Sequence, residues 1–266
     1  MNEIAVCVEN SNKNVSAKET IDAIKNAGFK NVFVQYYNRE TNGLTEIEQI
    51  EYCKELGLNI IFAHLGYCNK RQIDNIWKEG TEGDKTIEDY IEDFKLLKSY
   101  DINLVVIHLL YENKDNLFSE IGIKRLKYLN EKAKEIGIKI AFENTKQKKL
   151  FEKVLENIKD ENIGICFDSG HWNCAFKDEL DLSKYKDRIF AVHLHDNDGT
   201  ADQHLLPFEG NINWDFYLKQ LKENNYNGPV TLELAYRNDY LNMPITDFYK
   251  EAYKRGEKLI EIIEKH

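Results

Sequence analysis

Ala191-Val-His-Leu-His-Asp-Asn-Asp-Gly-Thr-Ala-Asp-Gln-His204 is the stretch on which the fold turns, and it runs on through Leu-Leu-Pro-Phe-Glu-Gly-Asn-Ile-Asn-Trp214. The apolar run 189–194 has strand length and leads into a polar loop. His193 and His195 therefore share one strand face at period two, with Asp202 and His204 just beyond it. This gathers imidazoles and carboxylates at the carboxyl end of a strand, where α/β enzymes hold their chemistry. A polar loop with hydrogen-bonded histidines is the plain alternative. Against it, three of the chain's seven histidines fall within this one loop, interleaved with acids, and metal ligation is the commonest use of such clusters.

Working outward, runs of the same kind recur at 4–8, 31–35, 59–63, 104–108, 139–143, 163–168, 189–195 and 230–234. Most are near-continuous and rich in Val and Ile, as parallel strands buried on both faces require. Amphipathic stretches at 17–27, 46–56, 86–100, 122–136 and 148–158 predict helices between them, with a last helix at 246–264. Ala27-Gly28, Leu56-Gly57 and Ile136-Gly137 each put a glycine where a helix must stop and the chain turn back into a strand. Eightfold alternation predicts an α/β (β/α)8 TIM barrel, with an open doubly wound sheet as the other arrangement. The 266 residues match the roughly 250 that a closed barrel needs. With 42% hydrophobic residues, three prolines and no Ser/Gly/Pro-rich tract, residues 1–266 are expected to form a single domain.

The 36 basic against 46 acidic residues leave a formal charge of −10, which repels a polyanion and argues against a nucleic-acid partner. No apolar run approaches the roughly 18 residues of a membrane span, and the opening Met-Asn-Glu-Ile-Ala-Val-Cys lacks signal-peptide character, so a cytoplasmic protein is expected. The five cysteines, Cys7, Cys53, Cys68, Cys166 and Cys174, have no C-x-x-C spacing, and reduced thiols are expected.

Six successive strands close on chemistry-bearing residues: His64, His108, Glu143, Asp168, the pair His193 and His195, and Glu233. Singly, each is a weak signal, because a strand-end His or acid often serves only as a hydrogen-bonding or capping group. On one barrel rim they converge, and a ring of carboxylates there resists burial unless a cation sits among them. Two glutamates and an aspartate with one imidazole make a mixed O/N shell that suits Mn²⁺, Mg²⁺, Co²⁺ or Zn²⁺ and disfavours copper or an iron–sulfur cluster.

In Phe142-Glu143-Asn144, Phe167-Asp168-Ser-Gly-His171, His193-Leu-His-Asp196, Asp202-Gln-His204 and Leu232-Glu233, taken together, the chain resembles the xylose-isomerase-like TIM barrel superfamily over nearly its whole length. That group includes sugar and sugar-phosphate isomerases and epimerases, inosose-handling enzymes and metal-dependent apurinic endonucleases. The resemblance implies that Glu143, Asp168, His193 and Glu233 ligate the principal metal, with His195 the alternative to His193. His171 matches a substrate contact of the isomerases and a further metal ligand of the endonucleases. Asp202 and His204 match that second metal site with it, and His64 and His108 match another. Three features depart from the endonucleases: Gln203 between Asp202 and His204, Leu-Ala-Tyr after Glu233, and the acidic charge. Gly210-Asn-Ile-Asn-Trp214 is similar to a Gly-x-Ile-x-Trp signature of presumed sugar isomerases.

The resemblance thus implies a metal-dependent sugar or sugar-phosphate isomerase or epimerase. Such enzymes abstract a proton α to a carbonyl through an enediolate, here with Glu143 and Glu233 as the acid/base pair. His64, His108, His171, His195 and Trp172 are the expected substrate contacts, and Tyr36, Tyr37, Tyr67 and Trp214 are further aromatic candidates. Lys146, Arg188 and Arg237 are candidates for holding a phosphate by position alone. An apurinic-site endonuclease, a polyol dehydratase or lyase, and a sugar-binding barrel without turnover are the competing readings, and a homo-oligomer is left open.

Overall fold

Alternation along the strands decides which residues meet inside the barrel. The computed structural model describes residues 3–9, 12, 14–37, 41–66, 73–111, 117–176 and 180–266; Tyr67 and Cys68 lie outside the described residues. Eight parallel strands form one sheet: β1 (Ile4–Val8), β2 (Asn31–Tyr36), β3 (Asn59–Leu65), β4 (Leu104–Ile107), β5 (Lys139–Glu143), β6 (Ile163–Asp168), β7 (Ile189–His193) and β8 (Val230–Leu232). The sheet order runs β7-β6-β5-β4-β3-β2-β1-β8. A parallel bridge between Leu194 and Leu232 brings its two ends together, with Leu194 N–H donating to Thr231 O and Glu233 N–H to Leu194 O. The result is a TIM barrel, as the eightfold alternation predicts, and not an open sheet.

The helices follow from local signals. Helix α1 (Ala17–Ala27) starts on a Ser16/Glu19 capping box and α2 (Glu46–Glu55) on a Thr45/Glu48 box, each satisfying two orphan N–H groups. Helix α3 spans Thr81–Ser99, α4 Glu120–Ile136 and α5 Lys148–Asn157. Gly28 and Gly137 end α1 and α4 at φ of 104° and 83°, a left-handed geometry that costs a side-chain-bearing residue energy.

The sequence predicts no helix in two connections. Between β6 and β7 the described chain makes only a three-residue helix α6 (Ser169–His171), a wide turn over Trp172–Phe176 and a tight turn at Ser183–Tyr185. Here the crossover space is filled by aromatic packing: Trp172 on Phe176 with centroids 4.8 Å apart, and Phe151 on Tyr185 at 5.8 Å. Between β7 and β8, helix α7 (Trp214–Glu223) begins inside the stretch that opened the sequence reading, capped by the Asn213 side chain. The polar loop before it masks its apolar face, formed by Trp214, Tyr217, Leu218 and Leu221. The last helix, α8, spans Ile245–Glu264.

The larger core lies between barrel and helices. Inside the barrel a smaller layer of Cys7, Phe33, Phe62, Val106, Ala141, Cys166 and Ala191 plugs the lower half. Phe33 and Phe62 stack within it at 4.7 Å, and each such fully buried ring stabilises the fold by about 1.5–3 kcal/mol. Because side chains on one face recur every second residue, the positions two beyond Phe33, Phe62, Val106, Ala141, Cys166 and Ala191 form the next layer up: Gln35, His64, His108, Glu143, Asp168 and His193. The apolar layer is therefore the floor of a polar one, and the ring of Phe33 lies 4.9 Å beneath that of His193, 17° from parallel. Cys7, Cys53, Cys166 and Cys174 are free thiols. Among the described residues no helix is long and apolar enough to cross a membrane.

Candidate metal centre

The polar layer draws its side chains from the carboxyl ends of six strands. His193, at the end of β7, directs Nδ1 to within 3.1 Å of Glu143 Oε2, 3.4 Å of Glu233 Oε2 and 4.0 Å of Asp168 Oδ2. His195 meets a different subset: its Nε2 lies 3.2 Å from Asp168 Oδ2 and 3.6 Å from Asp202 Oδ1, and its ring stacks on His204 at 4.1 Å. The two histidines of the opening stretch are thus separated in role by their neighbours, although both are fully buried.

Around this centre lie two flanking groups. On one side, His64 Nε2 and His108 Nε2 approach Glu143 Oε2 at 3.3 and 3.1 Å, and His64 Nδ1 reaches Glu233 Oε1 at 3.3 Å. On the other, Asp202 lies between His171 Nε2 at 3.1 Å and His204 Nε2 at 3.4 Å, while His171 Nδ1 stands 3.0 Å from Glu143 Oε1. Asn144 fixes the end of β6: its side chain donates to Asp168 O at 2.9 Å and accepts from Asp168 N–H at 2.7 Å. Asp168 in turn accepts the His171 N–H at 2.6 Å, starting the short helix that presents His171.

The electrostatics are those of acids neutralised by imidazoles. Burial pushes the Glu143 and Glu233 carboxyls up, but nearby imidazoles, His108 and His193 for the first and His193 and His64 for the second, hold both below the usual carboxylate range. Burial opposes Asp202 in the same way, and His204 and His171 hold it low. Burial also works against charged imidazoles, yet Glu233 and Glu143 raise His193 to about 9 and Asp202 raises His204 to about 9. His171 is raised against burial by Asp168 and Asp202. His64 is the exception, lowered by burial.

Several of these atoms are buried without a hydrogen bond: Glu143 Oε1, His171 Nδ1, both ring nitrogens of His193, His195 Nδ1 and Asp202 Oδ1. Leaving a buried polar atom unbonded costs about 1–3 kcal/mol each, so such a concentration calls for a ligand. Ligand-type atoms of His64, His108 and Glu143, of His64, His193 and Glu233, and of Glu143, Asp168 and His171 lie within 4.8 Å of one another. The donor set is oxygen and imidazole, which fits a divalent cation of the Mn²⁺, Mg²⁺, Co²⁺ or Zn²⁺ kind. Cys166 also comes within that distance of Glu143 and His193, but burial and the acids around it push its thiol well up, away from the thiolate that ligates metal.

A cavity of about 260 Å³ opens above the cluster, walled by Gln35, Tyr37, His108, Tyr111, Lys146 and Gln147 among others. His64, Glu143, His171, Asp202, His204 and Glu233 reach its surface, whereas Asp168, His193 and His195 lie beneath. Trp172 does not reach it. Its indole packs against Phe167 and Phe176, with ring centroids 6.0 and 4.8 Å away. Trp214 is likewise buried, its Nε1–H donating to Asp196 at 2.9 Å. Of the phosphate candidates, Lys146 lines the cavity. Arg188 is spent on the carbonyls of Ile163 and Ile158, and Arg237 donates to those of Asp202 and Gln203. Gln35 was missed from sequence, although its place two residues after the inward Phe33 marks it as the polar end of β2.

Fold and site together define a (β/α)8 barrel whose candidate metal-ligating residues lie at the carboxyl ends of the strands. The family profile described as "Xylose isomerase-like TIM barrel" matches residues 21–259, and the chain belongs to that family. Among its relatives is an inosose isomerase of Halalkalibacterium halodurans, 29% identical over 188 residues that make up 64% of either chain. In structure it is similar to a D-tagatose 3-epimerase-like protein, with a TM-score of 0.72, 23% identity and coverage of 99% and 98% of the two chains. It is also similar to the IOLI protein solved with a zinc atom, with a TM-score of 0.73, 16% identity and coverage of 99% and 98%. The chain spans about half the length of the curated relatives it matches first.

Proposed function

We propose that the protein is a divalent-metal-dependent sugar isomerase or epimerase. The observation that carries this reading is the convergence of Glu143, Asp168 and Glu233 on one buried nitrogen of His193. Above it lies a polar cavity near the lower end of small-ligand pockets, which run from roughly 300 Å³ upward. The inosose isomerase relative and the epimerase-like neighbour support the substrate class, and the zinc in the IOLI protein supports the cofactor.

Glu143, Asp168, His193 and Glu233 would hold the ion, with His193 preferred to His195 because it faces all three acids. When bound, the ion polarises a substrate carbonyl and lowers the acidity barrier of the neighbouring C–H. Glu143 and Glu233 enter from β5 and just beyond β8, and both reach the cavity surface, so either can take a proton from a carbon held between them. His64 touches both carboxylates and lies on the path between them. Gln35, Tyr37 and Gln147 supply neutral hydrogen-bonding groups suited to hydroxyls. The test is metal analysis of the purified protein, followed by a screen for solvent-deuterium exchange into ketoses, inososes and their phosphates. Exchange at no carbon of any of these by the metal-loaded protein removes the isomerase reading.

A second reading, phosphodiester hydrolysis at apurinic sites, is favoured by one observation: His64 and His108 flank Glu143 on one side, and His171 and His204 flank Asp202 on the other, so that further ligand-type side chains stand beside the central group. The formal charge of −10 and the small cavity weigh against a duplex substrate. One ion per chain favours the isomerase. More than one ion, with cleavage of abasic DNA, favours the nuclease.

A further inference from the structure

The loop after β7 has no regular secondary structure over 197–204, yet it must hold Asp202 and His204 against the metal centre. It is folded around one side chain. Asp196 is fully buried and accepts four hydrogen bonds: Oδ1 from the N–H groups of Asn197 (2.9 Å) and Ile212 (3.2 Å), and Oδ2 from Phe208 N–H (2.9 Å) and Trp214 Nε1–H (2.9 Å). Its backbone exchanges a pair of 2.9 Å hydrogen bonds with Leu205, the residue after His204. One carboxylate thus ties together both ends of the loop and the first residue of α7.

The rest of the stretch is adapted to that closure. A methyl group built on Gly210 would overlap Asn197 O and Asp196 Oδ1, so only glycine lets the returning chain lie this close. His204 and Phe208 sit at φ of 51° and 74°, a left-handed conformation that non-glycine residues adopt at a cost. The four hydrogen bonds that Asp196 accepts offset that cost. With φ fixed, the His204 ring stacks on His195, its Nδ1 lies 3.0 Å from Glu233 O, and its Nε2 faces Asp202.

We infer that Asp196 is a positioning residue that, with Gly210 and Trp214, sets Asp202 and His204 against the metal centre without itself touching it. The sequence spacing Asp196…Gly210-x-Ile-x-Trp214 then has a physical reason: it is a carboxylate together with the glycine that makes room beside it and the indole that donates to it.

The test is the ring spectrum of histidine-labelled protein by NMR, in which seven signals report on the site and on the distant His266. Asp196→Asn keeps the shape but replaces one acceptor oxygen by a donor, leaving two of the four N–H groups facing an NH2. The His204 and His195 signals are expected to shift while those of His64, His108 and His266 stay. Trp214→Phe removes a single donor, is expected to give the same pattern at smaller amplitude, and serves if Asp196→Asn does not fold. In zinc titrations of the metal-free protein read on the His204 ring, affinity should fall about 10–100-fold in Asp196→Asn, as for other groups that support ligands. Unmoved His204 and His195 signals in a folded variant, or an equal shift of all seven, would overturn the inference. Zinc that leaves the wild-type ring signals unchanged would sink the metal centre instead, while the metal-free comparison still decides the role of Asp196.

Discussion

Nδ1 of His171 stands 3.0 Å from Oε1 of Glu143, and neither atom makes a hydrogen bond. Two buried polar atoms at hydrogen-bonding distance but without hydrogen-bond alignment are placed as ligands are, each facing a shared point. Glu143 occupies the middle of the whole arrangement, since His64, His108, His171 and His193 all approach it.

Glu143→Gln should therefore do more damage than any other single change in the cluster. The amide loses a negative charge in contact with four imidazoles and puts a donor among donors. Metal affinity and solvent exchange into a bound ketose are both expected to fall by at least about 100-fold, the scale of a lost general base. Glu233→Gln should abolish exchange while weakening metal less, because it meets fewer imidazoles. Exchange by NMR and metal content by mass spectrometry separate the two effects. Exchange persisting in both variants would remove the pair from the acid/base role.

The pH dependence of the metal-free protein has a definite sign. His193 and His204 are raised from 6.5 to about 9, so the stability they contribute is fully present below about 6.5 and is lost as pH rises through about 9. Glu143 and Glu233 are lowered, so their contribution is present above about 4.5 and lost on acidification through their depressed values. Thermal unfolding in chelator should show the highest melting temperature near pH 5–6.5, declining toward pH 9. Zinc competes with the imidazole protons, so its affinity should rise over the range in which metal-free stability falls. Metal affinity independent of pH between 6 and 9 would contradict both shifts.

Most of the fold was legible because a buried parallel strand leaves an unmistakable apolar run, and all eight were found within two residues of their observed ends. The convergence of the candidate site was legible for the same reason: strand-end residues such as Glu143, Asp168 and His193 inherit their inward direction from period two. What escaped the sequence was fixed by side-chain packing and hydrogen bonds, which strand periodicity does not encode. Trp172 follows Asp168-Ser-Gly-His171 directly, but its indole packs against Phe167 and Phe176 and is not among the residues that line the cavity. Helix α7 hid behind a polar loop whose order depends on Asp196, a residue inside a recognisable motif whose four donors the sequence does not reveal.

Arg125 offers a stability test away from the cluster. Its guanidinium is buried against the carbonyls of Ile76, Lys78 and Gly80 at 3.0, 2.6 and 2.6 Å, and its Nε pairs with Asp84 at 2.7 Å. It thereby holds the segment before α3, whose Trp77 and Asp74 bond the backbone of Leu109 and Tyr111 at the cavity wall. Arg125→Lys keeps the charge but loses the planar fork, leaving at least one buried carbonyl unpaired, and should destabilise by about 1–3 kcal/mol in urea unfolding. A change below about 0.5 kcal/mol, the scale of an ordinary surface substitution, would show that the carbonyls are satisfied without it.

Gly170→Ala tests how tightly the short helix after β6 controls the His195 ring. The glycine sits between Asp168 and His171, its carbonyl held by Asn197 Nδ2 at 2.9 Å, and a methyl there would overlap Cε1 and Nε2 of His195. Neither side can yield freely: the backbone of His195 is tied to the Ser169 hydroxyl on both its N–H and its carbonyl, and its ring is sandwiched against His204. Overpacking of this kind costs about 1–3 kcal/mol. If the clash is the cause, truncating the ring with His195→Ala should relieve it, so the double variant should be more stable than the sum of the single changes by about 1 kcal/mol or more. Strict additivity in chemical denaturation would mean that the methyl acts elsewhere, and that the closeness of Gly170 to His195 does not constrain the ring.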